Sequence, residues 1–214
     1  MAAETTTAAE TTSSMSRPLR ATVNLSALRH NLGIARKHSP QARIMAVIKA
    51  NGYGHGMLRA AKALAAADGF AVLNMAEAIA LREAGFSQEI LLLEGFFSAD
   101  ELPLLARHGL SSVIHAQWQL DALLQTPVSA PLQAWLKINS GMNRLGFQPG
   151  EVPGALHSLQ RMGAQVTLMT HFARADESDG IAEQLALFNA ITHGSDLPRS
   201  LSNSAAVLNY PEAH

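Results

Sequence analysis

Four residues that could hold an anion or bond covalently to a carbonyl carbon lie at or near the ends of apolar runs. Lys49 ends the run AVIK, Lys137 ends WLK and His171 ends TLMTH, while Arg144 follows soon after Lys137. A lysine amine that is partly desolvated near other cations has a lowered pKa and becomes a carbonyl nucleophile. The set favours Schiff-base chemistry with an anionic, phosphorylated aldehyde. One lysine alone would more simply be a strand end that meets water.

A glycine-rich segment follows Lys49 directly. Gly52, Gly54 and Gly56 alternate with Tyr53 and His55. The alternation favours a backbone with unusual dihedral angles close to a ligand, with a plain flexible turn as the alternative. The hydroxyl of Tyr53 could then reach a phosphate oxygen.

A second phosphate site is suggested by SNSAAVL near the end of the chain. Asn203 and Ser204 are predicted where a strand gives way to a short helix, whose free N–H groups would bind phosphate. Since a plain helix cap has the same sequence, this stretch alone is weak support.

These residues depend on an alternation of short apolar runs and helical patterns. Such alternation predicts a parallel sheet with right-handed crossovers. A closed (β/α)8 TIM-type barrel needs eight strands and typically ~250 residues, so the prediction is an incomplete α/β barrel with about seven strands. An open doubly wound sheet is the alternative, although GYGHG is not a dinucleotide or P-loop fingerprint. The predicted strands are 43–48, 70–74, 89–94, 111–115, 132–139, 165–171 and 199–203, and the polar residues at their ends are Lys49, Asn74, Glu94, His115, Lys137, His171 and Ser204.

The remaining predictions concern helices and their caps. RATVNL, residues 20–25, is predicted as a further strand before a helix capped by Ser26. Ser98 is predicted as another N-cap, with Gly85 and Gly109 as helix stops. The other helices are predicted over 57–67, 75–85, 98–109, 117–125, 150–162 and 180–193.

Composition excludes several classes of function. The chain has 214 residues, 48% of them hydrophobic, with a formal net charge of −1 and no cysteine. It therefore has enough apolar residues for one core, no basic surface for nucleic acid and no thiol chemistry. No apolar run reaches the ~20 residues of a membrane helix, so a cytoplasmic location is expected. The nine histidines lack metal-ligand spacing, so no metal is predicted and a metal hydrolase is the least favoured enzyme class.

The first residues differ from the rest. AAETT occurs at residues 2–6 and again at 8–12, and no large apolar residue precedes Met15. Residues 1–17 are predicted to be a disordered tail because they cannot bury enough surface to offset their ordering entropy. Met15 is an equally good start of the natural chain. Residues 18–214 are predicted to form one barrel domain.

Four motifs together resemble the bacterial alanine racemases, which are pyridoxal-phosphate enzymes. AVIKANGYGHG is similar to the family's cofactor-attachment motif, and WLKINSGMNRLGF, THFARADE and SNSAAVL follow in the family's order and spacing. The resemblance extends over nearly everything after residue 17. It implies an isomerase that interconverts L-alanine and D-alanine, which supplies D-alanine for peptidoglycan.

The resemblance also assigns residues to the cofactor. It implies that Lys49 bonds covalently to pyridoxal 5'-phosphate and then serves as one of two acid–base residues, the one acting on the D-enantiomer. It implies that Tyr53 and Ser204 bind the phosphate, with Asn203 beside them.

Three further roles follow from the same resemblance. Lys137 matches a lysine that is often carbamylated, which turns a cation into an anion that holds Arg144. Arg144 matches the residue that contacts the cofactor's phenolic oxygen and the substrate carboxylate. His171 matches a supporting member of the hydrogen-bond network around the cofactor ring.

The family pattern contains elements not found in this sequence. An eighth strand with an arginine facing the pyridine nitrogen is expected after residue 214, followed by a β-rich domain. That domain carries the tyrosine that serves as the opposing base across a homodimer, and neither Tyr53 nor Tyr210 occupies its place. The chain is therefore expected to be an N-terminal fragment, poorly stable and inactive by itself.

Two alternatives remain at this stage. Related barrel enzymes use the same cofactor to racemise or decarboxylate other amino acids. Single-domain proteins of similar length bind the cofactor without catalysis, but their lysine motif is not followed by ANGYGHG.

Overall fold

Seven parallel strands form one sheet in the computed structural model, which describes residues 21–126 and 131–214. The strand order is β1 to β7 along the chain, so each strand pairs with its sequence neighbours. Helix packing connects the two sides of the sheet, since the first helix, Leu25–His38, contacts the last α-helix, Ser204–Asn209. The sheet is therefore a curled, unclosed barrel, as predicted. The strands are β1 Met45–Val47, β2 Gly69–Val72, β3 Glu89–Leu92, β4 Ser111–Ile114, β5 Gln133–Lys137, β6 Gln165–Met169 and β7 Arg199–Ser200.

Helices follow the strands and cover the outer face. The predicted stops are confirmed at Gly85 and Gly109, where φ is 87° and 55°, and Ser98 caps a short 3-10 helix, Ala99–Glu101. A second 3-10 helix covers Pro211–Ala213. The helical elements are α1 Leu25–His38, α2 Lys49–Tyr53, α3 Met57–Ala63, α4 Met75–Glu83, α5 Leu102–His108, α6 Gln117–Gln125, α7 Val152–Arg161, α8 Ala182–Ile191 and α9 Ser204–Asn209.

Strands β2 to β6 are buried over most of both faces, which explains their nearly continuous apolar runs. Alternate residues point to opposite sides of a strand. The outward set packs against the helices in the main core and includes Phe70, Ile90, Leu92, Leu136 and Leu168. The inward set forms a separate cluster in the lumen: Ala71, Leu91, Val113, Trp135 and Met169.

One carboxylate lies at the amino-terminal end of the lumen. Glu89 accepts hydrogen bonds from the Ser111 hydroxyl at 2.8 Å and from the Trp135 indole N–H at 3.0 Å. Its other oxygen pairs with Arg43 at 3.2 Å. The charge of Glu89 is thus compensated by partners from β4, β5 and the segment before β1.

The prediction of a strand over 20–25 is wrong for its described part. Residues 21–24 form no strand, and the helix starts at Leu25 with Asn24, not Ser26, as its N-cap. The carboxamide oxygen of Asn24 accepts from the N–H groups of Ser26 and Ala27 at 3.0 and 3.1 Å. An asparagine N-cap satisfies the free donors of the first turn and outweighs the local strand propensity.

Several predicted elements are shorter in the structure, and hydrogen bonds explain two of these differences; one prediction lies outside the described residues. The helix predicted over 57–67 ends at Ala63 because the chain tightens, with Ala67 N–H donating to the carbonyl of Leu64 at 2.9 Å. The strand predicted over 199–203 covers only two residues, since Ser202 turns away and donates to the carbonyl of Ala213 at 2.7 Å. The tail predicted over residues 1–17 is not among the described residues.

Candidate active site

The period of two along each strand directs a layer of polar residues into the mouth of the lumen. Lys137 lies two residues beyond the inward-facing Trp135, and His115 and His171 lie two beyond Val113 and Met169. The carboxyl ends of parallel strands meet at one rim, which is where barrel enzymes collect their reactive groups. The strand ends therefore bring Lys137, His115 and His171 to a common rim.

A cavity of about 340 Å³ opens at this rim, and we call it the mouth cavity. It contains three of the predicted site residues, namely Lys49, Lys137 and Arg144. Its full lining is Lys49, Leu93, Glu94, Phe97, His115, Lys137, Arg144 and Leu145. Three cations and one carboxylate thus line a single cavity, which favours an anionic ligand.

Lys137 is the most perturbed charge of the site. Its side chain is buried, with 7% of the residue exposed, and its pKa falls from 10.5 to about 8. Burial is the main cause, and repulsion from Arg144 and Lys49 adds to it, while Glu94 opposes it. The ion pairs of residues 21–126 and 131–214 involve other side chains, so none neutralises Lys137.

Two histidines are held toward their neutral form beside these cations. Burial lowers the pKa of His115 and of His171, and repulsion from Lys137 lowers both further. The Nε2 of His115 lies 3.1 Å from the carbonyl oxygen of Glu94, so that contact requires the proton on Nε2. His171 does not line the mouth cavity, but Arg144 and Lys49 also act on its pKa.

The loop after β5 positions Arg144 by hydrogen bonds within itself. The side-chain oxygen of Asn139 accepts from the N–H groups of Gly141 at 3.1 Å and Asn143 at 3.0 Å. The amide of Asn139 donates to the side-chain oxygen of Asn143 at 2.9 Å. Asn143 has a positive φ of 58°, a conformation that asparagine tolerates better than most residues.

The same loop then returns against the strand. Phe147 N–H donates to the carbonyl of Lys137 at 2.9 Å, and Asn139 N–H donates to the carbonyl of Phe147 at 3.0 Å. Gly146 has φ 116°, and a Cβ there would lie 2.8 Å from the nitrogen of Asn139. A glycine is therefore required for the approach that places Arg144 at the mouth cavity with Lys137.

Lys49 introduces a turn of the opposite hand to an α-helix. The φ angles are 52° at Ala50, 54° at Asn51, 64° at Gly52 and 53° at Tyr53. Residues other than glycine lose roughly 1–2 kcal/mol each in this conformation. The prediction of unusual backbone angles is confirmed at the glycines and extends to three residues that are not glycine, so the surrounding structure must hold them there.

The three residues predicted to bind phosphate lie outside the lining of the mouth cavity. Asn203 caps α9, as its side-chain oxygen accepts from Ala206 N–H at 2.9 Å and its amide donates to the carbonyl of Phe172 at 3.1 Å. Ser204 is the exposed first residue of that helix. Tyr53 is 58% exposed and does not line the mouth cavity. These three roles remain predictions.

Sequence reasoning missed the residues that connect the loops of the rim. Gln184 of α8 donates to the carbonyl of His171 at 3.2 Å and accepts from Ala173 N–H at 2.8 Å. Gln119 of α6 is fully buried, accepts from His115 N–H at 2.8 Å and donates to the carbonyl of Glu94 at 3.3 Å. A glutamine within an otherwise apolar helix face was the available signal at Gln119.

Comparison with known proteins gives the family. A family model for the alanine racemase N-terminal domain matches residues 23–214. The chain belongs to this family. It is 55% identical over 205 residues to an alanine racemase of Nitrosospira multiformis, covering 94% of this chain and 57% of that protein. The chain thus spans little more than half the length of this relative.

Solved structures of the family share the fold. A biosynthetic alanine racemase from Pseudomonas aeruginosa superposes with a TM-score of 0.84 at 43% identity, covering 89% of this chain and 55% of that one. A histidine racemase from Leuconostoc mesenteroides subsp. sake gives a TM-score of 0.79 at 26% identity, covering 89% and 54%.

Within 21–126 and 131–214, none of the helices has the length and apolar character needed to cross a membrane. The same ranges contain no cluster of three or more histidine, aspartate or glutamate side chains arranged to hold a metal ion.

Proposed function

We propose that the protein is a pyridoxal-phosphate-dependent alanine racemase and that this chain supplies its cofactor-binding barrel. The observation that carries the proposal is the mouth cavity, where Lys49, Lys137 and Arg144 converge in a chain of the alanine racemase family. A cationic cavity with a lysine at the end of β1 matches the needs of an anionic aldehyde. D-Alanine for peptidoglycan would be the product.

The donor set of the site fits the cofactor. The guanidinium of Arg144 suits the phenolate oxygen, and Lys49 offers a primary amine to the aldehyde. Tyr53, Ser204 and the backbone beside Asn203 are assigned to the phosphate, and His171 to support of the ring. Bound pyridoxal phosphate supplies the electron sink that makes the α-proton of an amino acid acidic.

Each protein group then has a defined task. The Nζ of Lys49 removes the proton from Cα, or returns it there, on one face of the substrate. The guanidinium of Arg144 binds the substrate carboxylate and orients that face. The lowered pKa of Lys137 leaves more of its amine neutral. The neutral amine can add to CO2 with release of one proton to solvent, and the resulting carbamate would hold Arg144 in place.

Racemisation needs a second base on the opposite face of Cα. We assign this task to neither Tyr53 nor Tyr210, because neither lines the mouth cavity. We assign the second base to the part of the relatives' length that these 214 residues do not cover. A homodimer in which a partner subunit completes each site is the expected assembly.

The test is labelling combined with assay. The protein as it occurs in the cell is purified, loaded with pyridoxal phosphate, reduced with borohydride and mapped by peptide mass spectrometry. The proposal expects the label on Lys49 and interconversion of L- and D-alanine by chiral chromatography. A label on other lysines only, or binding without turnover of any amino acid, would contradict it.

A second substrate class is favoured by one specific observation. The histidine racemase has the same fold at a TM-score of 0.79. A racemase of another amino acid would therefore use the same barrel. Comparing alanine with histidine and other amino acids in the same assay separates the two, since the main proposal expects alanine to be the best substrate.

A further inference from the structure

The carboxylate of Glu77 connects two segments that lead to the mouth cavity. One oxygen accepts a hydrogen bond from Leu73 N–H, just after β2, at 3.0 Å. The other accepts from Asn51 N–H at 3.3 Å. Asn51 is the second residue of the left-handed turn and lies two residues after Lys49. A single side chain of α4 thus bonds to the backbone of the left-handed turn Lys49–Tyr53, which we call the lysine turn.

This arrangement differs from an ordinary helix cap. Asn74 caps α4, and its side-chain oxygen accepts from Glu77 N–H at 2.9 Å. In a capping box the glutamate three residues later would return the bond to the N–H of the cap residue itself. The carboxylate of Glu77 instead reaches past Asn74 to Leu73 and Asn51. Its position therefore serves the neighbouring segments as well as its own helix.

The lysine turn needs such support because its backbone is strained. Its other hydrogen bonds come from its own βα unit: Gly52 N–H donates to the carbonyl of Ile48 at 2.9 Å, and Met57 N–H donates to the side chain of Asn51 at 2.9 Å. Among the hydrogen bonds of residues 21–126 and 131–214, the one to Glu77 is the link from this turn to the β2–α4 unit.

We propose that Glu77 is a positioning residue for Lys49. Its carboxylate holds the left-handed turn against the end of β2, and this fixes the direction in which the Lys49 side chain enters the mouth cavity. Glu77 does not line that cavity, so it acts through the backbone. The role of Lys49 in this inference rests on the proposed function.

The first experiment compares three variants in the protein as it occurs in the cell. Glu77→Gln keeps the shape but replaces one acceptor oxygen with a donor. Glu83→Gln makes the same change at an exposed position of the same helix. Asn74→Ala removes the cap of α4 but leaves the bond to Asn51. Each is measured by amide hydrogen exchange of residues 49–54 without cofactor, and by the rate at which pyridoxal phosphate and borohydride label Lys49.

The expected result separates positioning from helix capping. Glu77→Gln should speed exchange in residues 49–54 and slow labelling of Lys49 by about threefold to tenfold, the scale of one lost hydrogen bond at a water-exposed position. Glu83→Gln should change neither, and Asn74→Ala should lower the Tm with a smaller effect on labelling. Equal effects of Asn74→Ala and Glu77→Gln on exchange and labelling, or no effect of Glu77→Gln, would overturn the inference.

A rescue variant adds a readout that a capping role would not move. Ala50→Gly lowers the cost of the left-handed conformation, so in the Glu77→Gln background it should recover part of the labelling rate. If exchange responds to Glu77→Gln while Lys49 of the unsubstituted protein takes no label, the turn is held as inferred and the proposed function fails instead. If Lys49 is labelled normally in all variants, the proposed function stands and the inference fails.

Discussion

The two ends of the barrel lumen carry charge in opposite ways. At the amino-terminal end, Glu89 is bonded to Ser111 and Trp135 and paired with Arg43. At the carboxyl-terminal end, Lys49 and Lys137 lie on one cavity with Arg144, outside the ion pairs of residues 21–126 and 131–214. At the amino-terminal end the charge of Glu89 is compensated by other residues of the fold, whereas at the carboxyl-terminal end positive charges lie together.

The difference indicates which end is structural and which is functional. A charge bonded on every side stabilises the fold and leaves no capacity for a ligand. Like charges held together, with the pKa of Lys137 lowered to about 8, reduce stability and are retained where a ligand compensates them. Substitutions at the two ends should therefore affect different properties.

Loss of Lys49 should have the largest effect. Lys49→Ala removes the amine that is proposed to bond to the cofactor and to move the α-proton, so racemisation should fall by at least about three orders of magnitude. Lys62→Ala, at an exposed position of α3, is the matched control and should leave the rate unchanged. Activity that survives Lys49→Ala within tenfold would remove the mouth cavity as the site.

Lys137 should make stability depend on pH in the alkaline range. Its folded-state pKa of about 8 lies below the ordinary 10.5, so between these values the unfolded chain binds more protons. The free energy of unfolding should therefore rise with pH from about 8 to 10.5, by about 3 kcal/mol at most.

Denaturation of cofactor-free protein in bicarbonate-free buffer measures this rise. Excluding bicarbonate prevents reaction of the amine with CO2, which would replace the cation with an anion. Lys137→Met should be more stable than the unsubstituted protein at pH 7 and should lack the alkaline rise. If both proteins had the same dependence of unfolding free energy on pH, burial would not destabilise the charged form of Lys137.

Most of the fold could be predicted from the order of apolar runs along the chain. Seven strands at the predicted positions and their parallel order follow from local patterns, because strand and helix alternate regularly. The errors lie where a single side chain decides. Asn24 caps α1 where a first strand was predicted, and Ser202 turns to the carbonyl of Ala213, so β7 covers only two residues. The Ser202 contact reaches a residue eleven positions away, which sequence spacing does not reveal, whereas the Asn24 cap is local and has the residue type of a common N-cap.

The site was predictable to the extent that strand ends share a rim. That rule predicts that Lys49, Lys137 and His171 lie together, with Arg144 close behind Lys137. Lys49, Lys137 and Arg144 do line the mouth cavity, whereas His171 does not. The groups that hold the rim were not predictable, because Glu77 and Gln184 bond to backbone atoms distant in sequence. Nearly every residue has the same backbone N–H and carbonyl groups, so a side chain that bonds to them leaves no sequence motif at the partner position.

Loss of Glu89 should lower stability at the opposite end of the lumen. Glu89→Ala leaves the hydroxyl of the buried Ser111 and the indole N–H of Trp135 without their acceptor, which should cost about 2 kcal/mol. Chemical denaturation measures the loss, and cofactor labelling of Lys49 should be unchanged in the fraction that folds. A variant as stable as the unsubstituted protein would show that the charge at this end is not structural.

The smallest expected effect concerns a carboxylate outside the lumen. Asp68 accepts from Ile44 N–H and from Arg36, each at 2.7 Å, which ties α1 to the start of β1. Burial raises its pKa, but these hydrogen bonds and the charge of Arg36 outweigh burial and lower it below the ordinary 3.8. Asp68→Asn should cost about 1 kcal/mol at pH 7.

Because the folded-state pKa of Asp68 is lowered, this contribution to stability is present above pH 3.8 and is lost as pH falls through the lower value. Acid titration of unfolding should therefore show the two proteins converging below pH 4, while Asp100→Asn, at an exposed position, should match the unsubstituted protein throughout. A difference that persists in acid would mean that the contact acts through shape rather than charge.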